Sequence, residues 1–227
     1  MGIMTNFQKK KQADPNHGVD RGKGDFTVIA TMPVSKIGKQ QAVSAFEKEI
    51  ESDLAKLKFI RSVKQKESEK AEHLVPKYLP IVETLITAGS AHPLLGLFLV
   101  WLFDIKDIHK AMPLALYCIA KKIPMPEWFK RDLPTFLCDA VLDWAEAEFE
   151  AGRSVEPYFH QLCEAANDFE LVDQITARMH RLKGLIAMAK EDYDMAVLCL
   201  QQAEKYGAKV KTALAQAEKK SETAKEV

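Results

Sequence analysis

Apolar residues recur at helical spacing along most of the chain, most clearly in residues 191–207, EDYDMAVLCLQQAEKYG. At spacings of three, four and three residues, one side of this segment carries Tyr193, Ala196, Leu200 and Ala203. Such positions share one face of a helix, and the small Ala side chains let a neighbouring helix approach closely. Gly184 lies nine residues before Tyr193, in another apolar helical run. This spacing is typical of a tetratricopeptide helix pair, which serves binding or packing.

The same periodicity divides the chain into four segments. Residues 1–40 are rich in Lys, Gly, Pro, Asn and Asp and are predicted to be a disordered basic arm. Residues 41–70 are predicted to form one long helix, residues 71–210 an α-helical hairpin body, and residues 211–227 a charged tail. Alternating strand patterns are almost absent. The predicted fold is therefore all-α, with a long N-terminal helix followed by stacked antiparallel hairpins that become tetratricopeptide-like towards the C-terminus.

The predicted long helix has two chemically different halves. Its first half carries an apolar stripe at coiled-coil-like spacing, which we interpret as an oligomerisation surface: Val43, Phe46, Ile50, Leu54 and Leu57. Residues 56–66 contain no acid and five bases, which are candidate DNA phosphate contacts: Lys56, Lys58, Arg61, Lys64 and Lys66. Two alternatives remain for the basic half, because solvated charges and a favourable interaction with the helix dipole produce the same pattern.

Charge is unevenly distributed although the chain is neutral overall. Residues 1–40 contain seven Lys or Arg against three acids, and residues 76–203 contain twelve against eighteen. Basic ends on an acidic body indicate nucleic-acid contact or simply solvated termini. Within the arm, Arg21 and Lys23 are further candidate DNA contacts.

Cysteine usage and hydropathy suggest a compartment. Cys118, Cys138, Cys163 and Cys199 are far apart in apolar helical runs, as expected for core thiols in a reducing environment. We expect no signal peptide and no membrane partner, because the longest apolar run, residues 93–103, is too short to span a bilayer. The predicted compartment is therefore a reducing one.

Motifs for catalysis are not apparent in the sequence. Phosphate-binding glycine loops, H-E-x-x-H and a nucleophile elbow do not occur. His160 and Cys163 have helical ligand spacing, but two ligands are too few for zinc. On the predicted helix at 133–151, one narrow stripe carries the acids Asp139, Asp143, Glu146 and Glu150. We interpret this stripe as a solvated face; the alternative is a metal-dependent endonuclease site. We expect no catalytic residue, no metal site and no cofactor.

Residues 78–126 resemble the phage small terminase subunit family of the gpM type. The family pattern combines an LP-x-V element, an apolar helix leading to W-x-x-D-x-x-D-I-x-x-A, and a final MP. The corresponding positions are Leu79, Pro80, Val82, Trp101, Asp104, Asp107, Ile108, Ala111, Met125 and Pro126. Residues 181–207 also resemble the family's C-terminal segment, and the likeness extends over about residues 42–211.

This resemblance implies a role in packaging DNA into tailed phages, in the cytoplasm of the bacterial host. Small terminase subunits recognise the packaging (cos) site, form homo-oligomers that are often rings, and recruit and regulate a large subunit with ATPase and nuclease activities. Members of this type are often labelled terminase endonuclease subunits. Residues 26–66 lack the tight turn of a helix-turn-helix, so double-stranded DNA contact is assigned to the bases named above. The alternative is a tetratricopeptide-like protein-binding adaptor without a DNA role.

Overall fold

The structure, a computed structural model, describes the backbone of residues 36–225 and the side chains of residues 46–225. The predicted arm, with Arg21 and Lys23, and the side chain of Val43 lie outside these described residues. The chain divides into two compact units, Met1–Glu51 and Ser52–Val227. The described part of the first unit is residues 36–51, which form the N-terminal part of one helix.

Helices account for most of the described chain, and residues 36–225 contain no strand, which confirms the all-α prediction. The α-helices are α1 (Lys36–Phe59), α2 (Val63–Glu69), α3 (Val75–Thr87), α4 (Leu94–Asp104), α5 (Ile108–Ala120), α6 (Leu133–Glu150), α7 (Tyr158–Ala165), α8 (Asp173–Ala189), α9 (Tyr193–Lys205) and α10 (Lys211–Lys225). A π-helical turn, Lys70–Leu74, joins α2 to α3, and a 3₁₀ turn, Ala166–Asp168, follows α7.

The helix predicted to be continuous over residues 41–70 is interrupted in the structure. Helix α1 ends at Phe59, residues 60–62 are not helical, and α2 begins at Val63. The cause is a new N-cap: Ser62 has extended backbone, and its hydroxyl oxygen accepts a hydrogen bond from the Gln65 backbone N–H at 3.3 Å. Ser62 and Gln65 have the S-x-x-Q spacing of a capping box, so the signal was present in the sequence. The apolar stripe of α1 therefore does not continue into α2.

The apolar helix predicted near residues 93–103 is α4, and it lies in the core. Every residue from Leu94 to Leu102 is buried, so α4 is surrounded on all sides, and it packs against α3 and α5. The ring of Trp101 lies 5.6 Å from that of Tyr78 and 6.2 Å from that of Phe98, between centroids. No described helix is long and apolar enough to cross a membrane.

The C-terminal helices form a second packed layer. The Ala face predicted on α9 is buried, with Ala196, Leu200 and Ala203 fully enclosed between α8 and α10. A Cβ atom at Gly184 would lie 2.6 Å from Leu200 Cγ, so only glycine allows this approach of α8 and α9. The segment predicted as a charged tail forms α10 and packs on α9 through Leu214 and Ala217, because its apolar residues recur at helical spacing. The tetratricopeptide-like character stays a prediction.

The cysteines are free thiols within this helical body. Cys118, Cys138 and Cys199 are buried, and Cys163 is half-buried. Burial raises the pKa of Cys118 and of Cys138 to about 12 and that of Cys163 to about 11. These thiols are consequently protonated and unreactive at neutral pH.

Candidate nucleic-acid interface

The predicted phosphate contacts meet where α1 ends and α2 begins, a region we call the α1–α2 junction (residues 56–66). Lys56 and Lys58 belong to the last turn of α1, Arg61 lies in the break, and Lys64 and Lys66 follow on α2. Lys66 is half-buried, whereas the other four side chains are exposed. Because the capped break separates them, these residues do not form one helical face, as a continuous helix would have required.

Most cations of the junction have no ion-pair partner among the described side chains. Lys56 donates to the Asp53 carboxylate at 2.9 Å. Among the side chains of residues 46–225, none forms an ion pair with Lys58, Arg61, Lys64 or Lys66. No acid occurs among residues 54–66, and although Glu67 and Glu69 follow on α2, neither forms an ion pair with Lys64 or Lys66. Exposed cations without a protein partner keep their counterions and can exchange them for phosphates.

Asp53 connects the end of α1 to α3 beneath the junction. Its side chain is 6% exposed and accepts hydrogen bonds from Lys77 Nζ at 2.6 Å, Lys56 Nζ at 2.9 Å and the Tyr78 hydroxyl at 3.0 Å. Burial alone would raise the pKa of Asp53, but the hydrogen bonds from Lys77, Lys56 and Tyr78 outweigh it and lower that pKa. Burial and the Asp53 carboxylate both raise the pKa of Tyr78. An ionised Asp53 therefore anchors the C-terminal half of α1 to α3.

Two large apolar side chains are exposed at the same junction. Phe59, the last residue of α1, is 87% exposed, and Val63, the first residue of α2, is 68% exposed. Neither residue has a role predicted from the sequence. The sequence does contain a signal, because both residues are apolar, lie outside the apolar stripe of α1 and are flanked by bases.

The predicted oligomerisation stripe is partly used within a single chain. Phe46 and Leu57 are buried, while Ile50 and Leu54 are half-buried. Leu57 thus contributes to the folding of one chain, and Ile50 and Leu54 are the stripe residues that retain surface for a neighbouring subunit. A role in subunit contact stays a prediction.

Three acids of the α6 stripe, which was interpreted as a solvated face or a nuclease site, pair with Arg178 of α8: Asp139, Asp143 and Glu146. We call these three residues the α6 acids. Arg178 Nη2 lies 2.6 Å from Asp143 and 2.8 Å from Glu146, and Arg178 Nη1 lies 3.5 Å from Asp139. Arg131 also contacts Asp139, at 2.6 Å. The hydrogen bond with Glu146 is the main cause of a raised pKa for Arg178, which stays protonated. These acids hold α6 against α8, a partnership that neither interpretation of the stripe included.

Potential metal ligands do not cluster elsewhere in the described chain. No group of three or more His, Cys, Asp or Glu side chains suited to a metal ion occurs among the described residues. His160 lies 3.4 Å from Glu164 on the same helix. With Cys163 and Cys199, His160 lines a cleft of about 460 Å³ between α7, α8 and α9.

The motif residues that carry the family resemblance have structural roles. Trp101 packs on Tyr78 in the core, and Asp104 accepts a hydrogen bond from Lys70 at 2.5 Å. Asp107 is the N-cap of α5, where its carboxylate accepts from the Lys110 backbone N–H at 3.1 Å. The motif thus maintains the α3–α4–α5 packing.

Comparison with known proteins gives one family match. The profile of the family described as "Phage small terminase subunit" matches residues 48–174. This range begins within α1, contains the α1–α2 junction and α6, and ends at the start of α8. A search of solved structures finds no match.

Two curated relatives come from phages. The chain is 27% identical over 188 residues to the "Probable terminase, endonuclease subunit" of Haemophilus phage HP1 (strain HP1c1), covering 82% of this chain and 65% of the relative. It is 28% identical over 155 residues to the "Terminase, endonuclease subunit" of Escherichia phage P2, covering 67% of this chain and 62% of the relative. The chain therefore spans less than two thirds of the length of both relatives.

Proposed function

We propose, from the premise that this chain belongs to the phage small terminase subunit family, that it recognises viral DNA at the packaging (cos) site. Family membership supports a role in genome packaging and agrees with the resemblance found over residues 42–211. In this proposal the chain also recruits and regulates the large ATPase–nuclease subunit, as a homo-oligomer in the host cytoplasm. Its DNA contacts lie on the α1–α2 junction and on Arg21 and Lys23 of the arm.

The DNA proposal rests on four junction cations that have no ion-pair partner among the described side chains. Elsewhere in the described chain, Arg131, Arg153 and Arg178 are engaged by carboxylates of their own chain. The junction cations Lys58, Arg61, Lys64 and Lys66 have no such carboxylate partner among the described residues. The contacts of Asp53 with Lys77 and Tyr78 anchor the helix that precedes these charges. Unpaired cations suit phosphate contact, because binding releases counterions without breaking an existing ion pair.

The test is DNA affinity as a function of salt. The wild type is compared with a junction variant in which four residues are changed to Gln: Lys58, Arg61, Lys64 and Lys66. If each contacts one phosphate, the slope of log K against log salt falls in magnitude by up to about 3.6, or about 0.9 per contact. A cos-containing duplex and an unrelated duplex of equal length separate site recognition from general affinity.

A matched control removes the same charge from another part of the chain. Four exposed lysines of the C-terminal helices and their connections are changed to Gln: Lys190, Lys209, Lys211 and Lys219. This control keeps the wild-type slope if the junction makes the contacts. Equal slopes for the junction and control variants contradict the assignment to the junction. A wild type that fails to bind DNA at low salt favours the protein-binding adaptor instead.

The oligomer is tested with residues that retain exposed surface. Ile50→Asp combined with Leu54→Asp is expected to dissociate the homo-oligomer, as measured by sedimentation velocity. Both side chains are only half-buried in one chain, so each keeps apolar surface that a neighbouring subunit would cover. Leu57→Asp is unsuitable, since Leu57 is buried and its loss would unfold the monomer. An unchanged oligomer places the subunit interface elsewhere.

The names of both relatives include the word endonuclease, so DNA cleavage is tested separately. We propose that the α6 acids position α6 on α8 through Arg178 and do not bind magnesium. After incubation with DNA and Mg²⁺, the wild type and Asp143→Ala should leave the same DNA fragment pattern. Cleavage by the wild type that is lost in Asp143→Ala would assign these acids to a nuclease site.

A further inference from the structure

The end of α1 presents an aromatic ring to solvent in an unusual setting. Phe59 is 87% exposed, and Val63, four residues later, is 68% exposed. Single exposed apolar side chains are common, but here two flank one capped helix break. We refer to these two residues, Phe59 and Val63, as the apolar tip.

We infer that Phe59 is a wedge that enters a groove of double-stranded DNA and partly unstacks one base step. This inference rests on the proposed function, since it requires that the junction contacts DNA. It adds a specific apolar contact, and a deformation of the DNA, to phosphate binding that by itself carries no sequence information.

Charge complementarity selects DNA as the occupant of the tip. Lys58, Arg61 and Lys64 flank the tip, and none of them has an ion-pair partner among the described side chains. A second copy of this chain docking tip to tip would bring two sets of unpaired cations together, which is unfavourable. A phosphate backbone on either side of the ring neutralises the same charges.

The local structure suits insertion. Phe59 ends α1, a helix that the contacts of Asp53 with Lys77 and Tyr78 anchor to α3. On the other side, the hydrogen bond between Ser62 and Gln65 starts α2 immediately after the break. A wedge acts through a side chain that is held in place while flanking cations grip the backbone, as in other proteins that kink DNA with an apolar residue.

The inference predicts a dependence on DNA deformability. Pyrimidine–purine steps such as TpA unstack most easily, whereas A-tracts are stiff. Wild-type protein should therefore prefer a duplex with a central TpA step over one with a central A-tract. The preference should disappear when the wedge is removed.

The experiment compares variants on a duplex with 2-aminopurine beside a central TpA step and a donor–acceptor dye pair at its ends. Phe59→Ala is expected to lower affinity by about 5- to 100-fold, as for loss of an aromatic contact with bases. It should also abolish the rise in 2-aminopurine fluorescence and the bend while leaving the salt slope unchanged. Phe59→Leu, which keeps an apolar wedge, should retain part of the bend.

Two controls separate the wedge from charge and from general exposure. Lys58→Gln should reduce the slope by about 0.9 and keep the fluorescence rise, because it removes a phosphate contact only. Trp128→Ala removes another exposed aromatic, 60% exposed, and should change neither signal.

Each remaining outcome overturns the inference in a distinguishable way. Wild-type affinity and bending by Phe59→Ala would overturn the wedge and leave the proposed DNA contact standing. Absence of DNA binding by the wild type would overturn both. A Phe59→Ala variant that loses its oligomer but still unstacks the duplex would show that a second copy covers the tip. A destabilised Phe59→Ala would show that the ring packs within the chain.

Discussion

Replacing Asp53 with Asn should destabilise the protein at pH 7 by about 2–3 kcal/mol, because it removes a buried negative charge from three donors. The contact with Lys56 contributes little, since that lysine is 70% exposed and already solvated. Lys77 is 37% exposed, so water replaces part of its interaction. The largest share comes from Tyr78, which is fully buried: a hydrogen bond to a charged group contributes about 1.5–3 kcal/mol.

The pH dependence of this loss has a definite sign. The pKa of Asp53 in the folded protein is below its ordinary value of 3.8, despite burial, because of the bonds from Lys77, Lys56 and Tyr78. A lowered carboxyl pKa stabilises the folded state fully above the ordinary value, and the stabilisation is lost as pH falls through the folded-state pKa. The difference between wild type and Asp53→Asn should be constant from neutral pH down to about 5 and shrink below about 4.

The assay is urea unfolding followed by circular dichroism at pH 7 and at acidic pH. Tyr78→Phe should lose about 1.5–3 kcal/mol, the value for a hydrogen bond to a charged group. The double variant should lose less than the sum, since both changes remove the same hydrogen bond. Asp168→Asn is the control: this carboxylate is exposed, and its replacement should change the free energy of unfolding by less than about 0.5 kcal/mol. A loss below about 0.5 kcal/mol for Asp53→Asn, or one that persists at acidic pH, would refute this reasoning.

Three further changes test the packing and the ion pairs by urea unfolding. Gly96→Ala should destabilise by about 1–2 kcal/mol, because a Cβ would lie 2.5 Å from the Pro124 carbonyl oxygen and the gain in helix propensity offsets only part of that strain; unchanged stability would mean that the loop yields freely. Glu191→Gly should stabilise by about 1 kcal/mol, because residue 191 has φ of 62° after α8, and a lower midpoint would contradict this. Arg178→Met should destabilise by about 1–2 kcal/mol at neutral pH, since the acids of α6 lose their shared cation; no loss would mean that these pairs contribute only as solvated surface charges.

Some features follow from sequence alone because they depend on spacing over a few residues. Helical periodicity and the lack of alternation predicted an all-α chain, and the apolar run at residues 93–103 predicted a buried helix, which is α4. Ala196 and Ala203 lie against neighbouring helices as their spacing indicated. The capping box at Ser62 was also readable, but the apolar stripe before it and the bases after it suggested one continuous helix.

Other features depended on which helices pack together, and local spacing contains no information on that. The α6 acids resembled a solvated face until α8 placed Arg178 beside them, from more than thirty residues away in sequence. Asp53 was one acid among several on α1 until Lys77 and Tyr78 enclosed it. Phe59 is likewise exposed because no other helix of the described chain packs over it. Sequence thus determined the elements and their buried faces through short-range periodicity, whereas long-range packing decided which charges are paired and which side chains remain for a partner.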